Sequence, residues 1–330
     1  MLGELCNKIT EIWQTGRKTK LSPTSGWISG NAVCCTHNGE SADTRGRAGI
    51  KVEDMVLSYH CFNCHYVASY RVGQHLSYKF RKLLAWMGAD DNTVRKMVID
   101  AIRIKDLIGP EHVADKPDEV QHDFTARSLP EDSVKLGSDR PDLTDYLIKR
   151  GIDLARYDFY YTEQTSYNLH RRIIVPCAWQ NKIIGYTARA TDDTVKPKYH
   201  SNYENSYVFN TDKQLPDSKF VIVCEGAFDA MSIDAVAVMG NNCSETQADI
   251  IDSLKREVIV VADGDKAGKK LISAALEYGW SVSFPVWQEK YKDINDAVVN
   301  LGRLFTLKSI LDGTETSKLK IELRSKKLYS

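Results

Sequence analysis

The chain has 330 residues, 42% of them hydrophobic, and balances 44 Lys plus Arg against 44 Asp plus Glu. That length exceeds one minimal domain and allows a globular core with a smaller module beside it; a net charge of zero neither demands nor excludes a nucleic-acid partner. The opening "MLGELCNKITEIWQ" is mixed in polarity and no run approaches the roughly eighteen apolar residues of a membrane span, so neither a secretory signal nor a membrane contact is expected, and the chain reads as cytoplasmic.

Residues 1–30 include a polar entry with Gly, Pro and Ser, and 33–70 read as short strands and turns around two cysteine clusters. In a reducing compartment the eight cysteines are expected as thiols or metal ligands, not disulfides. "CCTH" supplies Cys34-x2-His37 and "HCFNC" supplies Cys61-x2-Cys64. Two such pairs suit a closed tetrahedral zinc site, because each folds over a tight turn and thiolates favour Zn²⁺. Cys35 can substitute for Cys34, and His60 or His65 can stand beside the second pair; the matched spacing favours Cys34, His37, Cys61 and Cys64. The segment 30–70 has too little apolar mass for a core of its own, the circumstance in which metal replaces core. Tyr59, Phe62, Tyr66 and Tyr70 interleave with Arg45, Arg47, Lys51 and Arg71, a pattern that serves either to stack bases of a single strand or to form a small core with a solvated rim.

Helical periodicity follows over Ser77–Ile102, with a break and cap at Asp90-Asp91-Asn92. Two prolines, several acids and weak periodicity mark 104–127 as a linker after a zinc-binding module with following helices, 1–103. Arg140–Asp153 reads as a helix ending near Gly151. Arg171–Ala190 reads as two strands joined by a turn at Gln180-Asn181.

From Lys219 the rhythm becomes strand, helix, strand, helix: "KFVIVCEG", "AFDAMSIDA", "AVAVMG", "SETQADIIDSLK", "REVIVVADGD", "AGKKLISAALEYG", "WSVSFPV". This predicts an α/β domain, a small parallel sheet with helices on both faces, whose ligands gather beyond the carboxyl ends of the strands. Glu225, Asp263 and Asp265 fall there, and "KYKDINDAV" adds Asp293 and Asp296. Acids sharing one desolvated edge repel each other unless a cation joins them. Hard carboxylate oxygens in an open cleft point to Mg²⁺ or Mn²⁺, and two cations held by four or five acids can orient a 3′-hydroxyl against a phosphoryl group. Asp229 reads as a helix-capping or solvated acid. "GDKAGKK" lacks G-x4-G-K-[ST], which excludes a P-loop ATPase.

"VCEGAFDAM" followed by "VVADGDKAGKK" resembles the Toprim fold shared by bacterial-type primases, topoisomerases, certain nucleases and recombination-mediator proteins. The family glutamate matches Glu225, and its aspartate pair matches Asp263 and Asp265. C-x2-H and C-x2-C pairs ahead of a Toprim domain are similar to those of bacterial and phage DNA primases. "IIGYTARA" resembles the primase strand with a glycine and a basic residue, here Gly185 and Arg189. "KPKYHSNYENSYVFN" resembles the segment that follows, here Pro197, Lys198, Tyr199 and Ser201, and "KDINDAV" the late motif with Asp293, Asn295 and Asp296. The resemblance covers roughly 30–70 and 125–300 and is nearest to the compact primases of T-even-like bacteriophages.

That resemblance implies an RNA polymerase domain over 128–330, divided into an α+β basic subdomain (128–217), a Toprim domain (218–300) and a C-terminal basic extension (301–330). It implies template-directed synthesis of short RNA primers from ribonucleoside triphosphates on single-stranded DNA. Glu225, Asp263, Asp265 and Asp293 would be catalytic and, with Asp296, hold Mg²⁺; Arg189, Lys196, Lys198, Tyr199 and Lys266 would bind nucleotide or template. A separate replicative helicase, with a single-strand-binding protein beside it, would be the partner in an infected bacterial host. The rival readings are a metal-dependent Toprim nuclease and a non-catalytic single-strand DNA binding or loading protein. A topoisomerase is disfavoured, since no tyrosine stands out in a recognisable nucleophile domain.

Overall fold

The computed structural model describes residues 3–74, 76–108, 123–163, 168–192, 194–215 and 218–328. The chain divides into two compact units, Met1–Pro117 and Asp118–Ser330.

In the first unit, α1 (Glu4–Gln14) precedes five strands, β1 (Lys20–Leu21), β2 (Ile28–Gly30), β3 (Ala48–Glu53), β4 (Val56–Cys61) and β5 (Val67–Arg71), followed by α2 (Tyr78–Trp86) and α3 (Asp91–Ile108). The strands form an antiparallel sheet in sequence order. Alternation in β4 sends Leu57, Tyr59 and Cys61 inward, as a half-buried strand requires. Leu5, Ile9 and Trp13 of α1, Phe80, Leu83 and Leu84 of α2, and Met97 and Ala101 of α3 close the same core. The ribbon therefore does not rely on metal alone, as its own composition suggested; flanking helices supply the missing apolar mass. Tyr59, Tyr66 and Tyr70 are core residues, which leaves Phe62, 66% exposed, as the one member of that aromatic set open to a ligand. Between the cysteine pairs, buried Asp43 accepts hydrogen bonds from the backbone N–H groups of Ala32, Arg45 and Arg47 at 2.7–2.9 Å. Burial raises its pKa, but these donors outweigh it and hold the carboxyl down at about 2.

Ser77 caps α2 by accepting from Phe80 N–H. The chain breaks at 87–90 before α3, slightly earlier than the expected Asp90-Asp91-Asn92; Asp90 accepts from Thr93 N, while Asp91 and Asn92 are already helical. That helix runs on to Ile108, so residues 104–108 of the expected linker are helical; 109–122 lie outside the described residues.

The second unit carries two sheets. β6 (Val134–Lys135), α4 (Pro141–Lys149), β7 (Tyr160–Tyr161), β8 (Arg172–Trp179), β9 (Lys182–Ala190) and β10 (Tyr199–Asn202) build an antiparallel α+β subdomain with strand order β10-β9-β8-β7-β6. β8 and β9 form the expected hairpin. Gln180 and Asn181 both have positive φ, 49° and 63°, the two-residue turn whose twist matches its strands.

Then come β11 (Phe220–Cys224), α5 (Ala227–Ile233), β12 (Val236–Ala237), α6 (Glu245–Ser253), β13 (Glu257–Val260), α7 (Gly268–Tyr278), β14 (Ser281–Ser283), α8 (Ile294–Leu301), α9 (Arg303–Asp312), β15 (Thr314–Glu315) and α10 (Lys318–Leu328). β12, β11, β13 and β14 are parallel in that order. Their near-continuous apolar runs are the mark of strands buried on both faces. The C-terminal segment is more than an extension: β15 pairs antiparallel with β14, and Ser283 Oγ donates to Ile310 O at 2.6 Å. Among the described residues no helix is long and apolar enough to cross a membrane.

Gly185 marks the closest approach in the antiparallel sheet. A Cβ there would meet Asn202 O at 2.1 Å and Tyr203 Cα at 3.0 Å, both backbone. Gly185→Ala is expected to lower stability by about 1–3 kcal/mol through this overpacking, read as a drop in the urea midpoint; an unchanged midpoint would show that β10 yields without cost.

Candidate functional site

Two clusters of ligand-type side chains stand out, one in each unit. In the first, the thiols of Cys34, Cys35, Cys61 and Cys64 all lie within 4.8 Å of one another. Cys34 Sγ is 3.3 Å from Cys64 Sγ, and Cys35 Sγ is 3.6 Å from Cys61 Sγ. Four thiols at this spacing fit tetrahedral Zn²⁺. His37, expected as the fourth ligand, is not in the cluster. The 3-10 turn Cys35–Asn38 directs Cys35 inward, and the His37 ring stacks on Trp86 at 4.5 Å and 6°. The "CCTH" run therefore contributes its two adjacent cysteines. Polar hydrogens surround the sulfurs: Asn63 Nδ2 donates to Cys35 at 3.3 Å, Asn63 N to Cys61 at 3.4 Å and Asn38 Nδ2 to Cys64 at 3.6 Å. Such donors favour thiolate and orient ligands.

The second cluster sits at the carboxyl ends of β11 and β13, paired in register Val223↔Val260. Glu225 follows β11 directly and its Oε1 accepts from Asp263 N at 3.1 Å, tying the two strand ends together. Asp265 Oδ1 accepts from Ala267 N at 2.9 Å and Gly268 N at 3.3 Å where α7 begins. Asp293 caps α8, accepting from Asp296 N at 2.8 Å. Asp265 and Asp293 thus meet free helix-start donors, where negative charge is favoured, whereas the donor to Glu225 is the strand-end N–H of Asp263. Gly268 is required here, since a Cβ would lie 2.3 Å from Asp263 O and 3.1 Å from Glu225 Oε1. Among the described residues only the cysteines close to within 4.8 Å as a group, so the carboxylates stand further apart.

Asp229 belongs to this site and its sequence context concealed it. It lies in the first turn of α5, is buried, and its Oδ1 accepts from Asn295 N of α8 at 2.9 Å. Burial comes first in raising it to about 8, followed by repulsion from Asp293 and Asp263. Asp263 is raised to about 7 by burial, then by Glu225 and Asp293; Glu225 to about 6 by burial, then by Asp265 and Asp229. Burial and Asp293 also raise Asp296. Asp265 departs from the pattern: burial raises it, but Lys292 and the backbone donors outweigh that and hold it down. Lys292 Nζ lies 3.1 Å from Asp265 Oδ2. Mutual repulsion in a desolvated edge is what a hard divalent cation relieves, so the donor set fits one.

The antiparallel subdomain reaches this edge through side chains. Arg150 Nη1 donates to Asn295 Oδ1 and Asn295 Nδ2 to Arg150 O, both at 2.8 Å. Arg189, expected to contact phosphates, is 4% exposed. Its Nε donates to Tyr146 OH at 2.7 Å, its Nη1 to Tyr199 OH, and its guanidinium lies 4.5 Å from the Phe228 ring centroid. A direct phosphate contact by Arg189 gives way to an internal role: its charge offsets the ionised form of Asp229. Tyr199 is half-buried in the same stack, whereas Lys196, Lys198 and Lys266 are exposed. Lys198 lies within electrostatic reach of Asp293.

Residues 222–298 match the Toprim-like family model. Two curated proteins are similar in sequence: the DNA primase of Aquifex aeolicus, 25% identical over 153 residues (40% of this chain, 30% of the relative), and that of Campylobacter jejuni, 31% identical over 103 residues (27% and 17%). The chain spans less than a third of the length of either relative. Among solved structures, a DnaG primase catalytic domain bound to ssDNA superposes with TM-score 0.48 and 15% identity, covering 57% of this chain and 76% of that one. The Aquifex aeolicus primase with zinc-binding and RNA polymerase domains gives TM-score 0.46 and 14% identity, covering 100% and 92%.

Two outcomes test these clusters. Cys35→Ser is expected to lose the tightly held metal equivalent while His37→Gln keeps it, read as metal content after dialysis; the reverse result would return His37 to the ligand set. Without added divalent cation, Asp263→Asn is expected to stabilise the chain by on the order of 2 kcal/mol at pH 8. The folded pKa values of Glu225, Asp229 and Asp263 lie above their ordinary ones, so their contribution to stability is complete below about pH 4 and is lost as pH rises through 6–8. The gain from Asp263→Asn should therefore shrink toward pH 5 in urea unfolding, and a pH-independent difference would contradict it.

Proposed function

We propose that the chain is a DNA primase that makes short RNA from ribonucleoside triphosphates on a single-stranded DNA template. The observation that carries this reading is the joining of two parts: a Toprim-type edge of partly buried acids, and an antiparallel subdomain that brings Arg150 and Lys198 to it, with Arg189 enclosed beside Asp229. A Toprim edge alone serves several chemistries. An edge with cationic groups arriving from a neighbouring sheet suits a reaction that must hold a triphosphate and a template as well as a cation, and the sequence relatives named DNA primase agree with that choice.

Glu225, Asp229, Asp263, Asp265 and Asp293 would hold Mg²⁺ or Mn²⁺, with Asp296 beside them. When bound, such ions supply the charge that in-line attack of a 3′-hydroxyl on an α-phosphate requires. The chain's own contribution is positional. Glu225 fixes the β11 and β13 ends through Asp263 N–H, Arg189 and Asn295 steady Asp229, and exposed Lys196, Lys198 and Lys266 are available to phosphates of template or nucleotide. In the first unit Zn²⁺ on Cys34, Cys35, Cys61 and Cys64 would secure the ribbon, with exposed Phe62 and its edge-on neighbour His60, 4.1 Å away, offered to unpaired bases. A separate replicative helicase and a single-strand-binding protein complete the reading, which corresponds to the compact primases of T-even-like phages.

The test is primer synthesis on a mixed-sequence circular single-stranded DNA with labelled ribonucleotides and Mg²⁺, with and without helicase. Short RNAs are expected, and Asp263→Asn should reduce them by more than about 10²-fold, since even outer-shell partners of a metal can cost that much. Template loss without RNA would favour the nuclease. DNA binding that ignores Asp263→Asn, with no product, would leave a loading protein.

A further inference from the structure

Lys292 directly precedes Asp293 in "KYKDINDAV". Its side chain is 59% exposed, yet Nζ lies 3.1 Å from Asp265 Oδ2. The approach is built in by the backbone. Lys292 O accepts from Gly264 N at 2.9 Å, joining the residue before α8 to the turn between Asp263 and Asp265. The ammonium is therefore delivered to the acid edge by a main-chain clamp. An exposed pair of this kind contributes little to stability, so support of the fold does not account for it.

Its chemistry does. An ammonium is a compact charge with three donors on a flexible stem, and here it occupies one of the two oxygens that Asp265 offers. The other oxygen is already taken by the Ala267 and Gly268 N–H groups. A divalent cation that draws on Asp265 must compete with Lys292 for Oδ2. The stem is mostly in solvent and its root is fixed beside Asp293, so a displaced ammonium stays at the rim of the acid edge. Phosphate oxygens of a nucleotide held there would be the nearest acceptors. Lys266, one residue from Asp265, is exposed.

We propose that Lys292 is a two-position residue: with the site empty it neutralises Asp265, and on cation loading it transfers its ammonium to the triphosphate of the incoming ribonucleotide. Lys292 thus links cation occupancy to nucleotide retention. The inference rests on the polymerase reading and deepens it.

The experiment titrates the full chain with Mn²⁺ by the EPR signal of free ion, alone and then with a non-reactive ribonucleoside triphosphate analogue, for wild type, Lys292→Met, Lys292→Arg and Asp263→Asn. Lys292→Met is expected to bind Mn²⁺ about five-fold more tightly without nucleotide and to hold the analogue about five- to ten-fold more weakly with Mn²⁺ present. Lys292→Arg should restore most of the analogue affinity. Unchanged Mn²⁺ affinity in Lys292→Met overturns the competition, and tighter Mn²⁺ with unchanged analogue affinity overturns the transfer. Weakening of both would make Lys292 structural and also overturn it. Wild-type Mn²⁺ binding that ignores Asp263→Asn removes the acid site itself, a failure distinct from that of Lys292.

Discussion

Several carboxylates crowd the carboxyl ends of two adjacent buried strands, and much of the second unit is arranged around that strain. β11 and β13 bring Glu225 and Asp263 together because parallel strands in register end together. Burial then works against ionisation of Glu225, Asp229 and Asp263. The surrounding structure answers with donors. Helix starts supply N–H groups to Asp229, Asp265 and Asp293, and Arg189 supplies positive charge from an aromatic enclosure. What remains unbalanced is the attraction the edge holds for a cation.

The antiparallel subdomain is the second half of this arrangement. It supplies cations to the edge, Arg189 buried, Arg150 bonded to Asn295 and Lys198 exposed within electrostatic reach of Asp293. The reciprocal Arg150–Asn295 pair matters because Asn295 also donates its backbone N–H to Asp229. A shift of α4 is therefore felt at a carboxylate through two hydrogen bonds. Placement of the acids and docking of the two sheets are one structural fact.

Much of the fold was legible because its signals are local. Buried parallel strands announce themselves as apolar runs such as Val221–Val223 and Val258–Val261, Ser77 and the 90–92 stretch mark helix limits, and Gln180-Asn181 marks a hairpin. The strand-end acids were legible for the same reason. What escaped depends on distant partners. Asp229 reads as a solvated helix acid until α8, sixty-six residues on, buries it. Arg189 reads as an exposed basic strand residue until Tyr146, Tyr199 and Phe228 enclose it. Cys35 joins Cys34 in the cluster instead of replacing it, and His37, expected as a ligand, stacks on the Trp86 ring, distant in sequence. Regular ligand spacing was a weaker guide than the shape of one 3-10 turn.

The pairing of β15 with β14 has a practical side. Residues 301–330 read from sequence as a basic extension, separate from the parallel sheet. In the structure β15 covers the outer edge of a buried sheet whose next strand, β14, is wholly buried. Cutting at residue 300 would bare unpaired backbone groups along an apolar strand, a template for strand pairing between molecules. The stretch that looks most dispensable is the one that covers the β14 edge of the parallel sheet against such pairing.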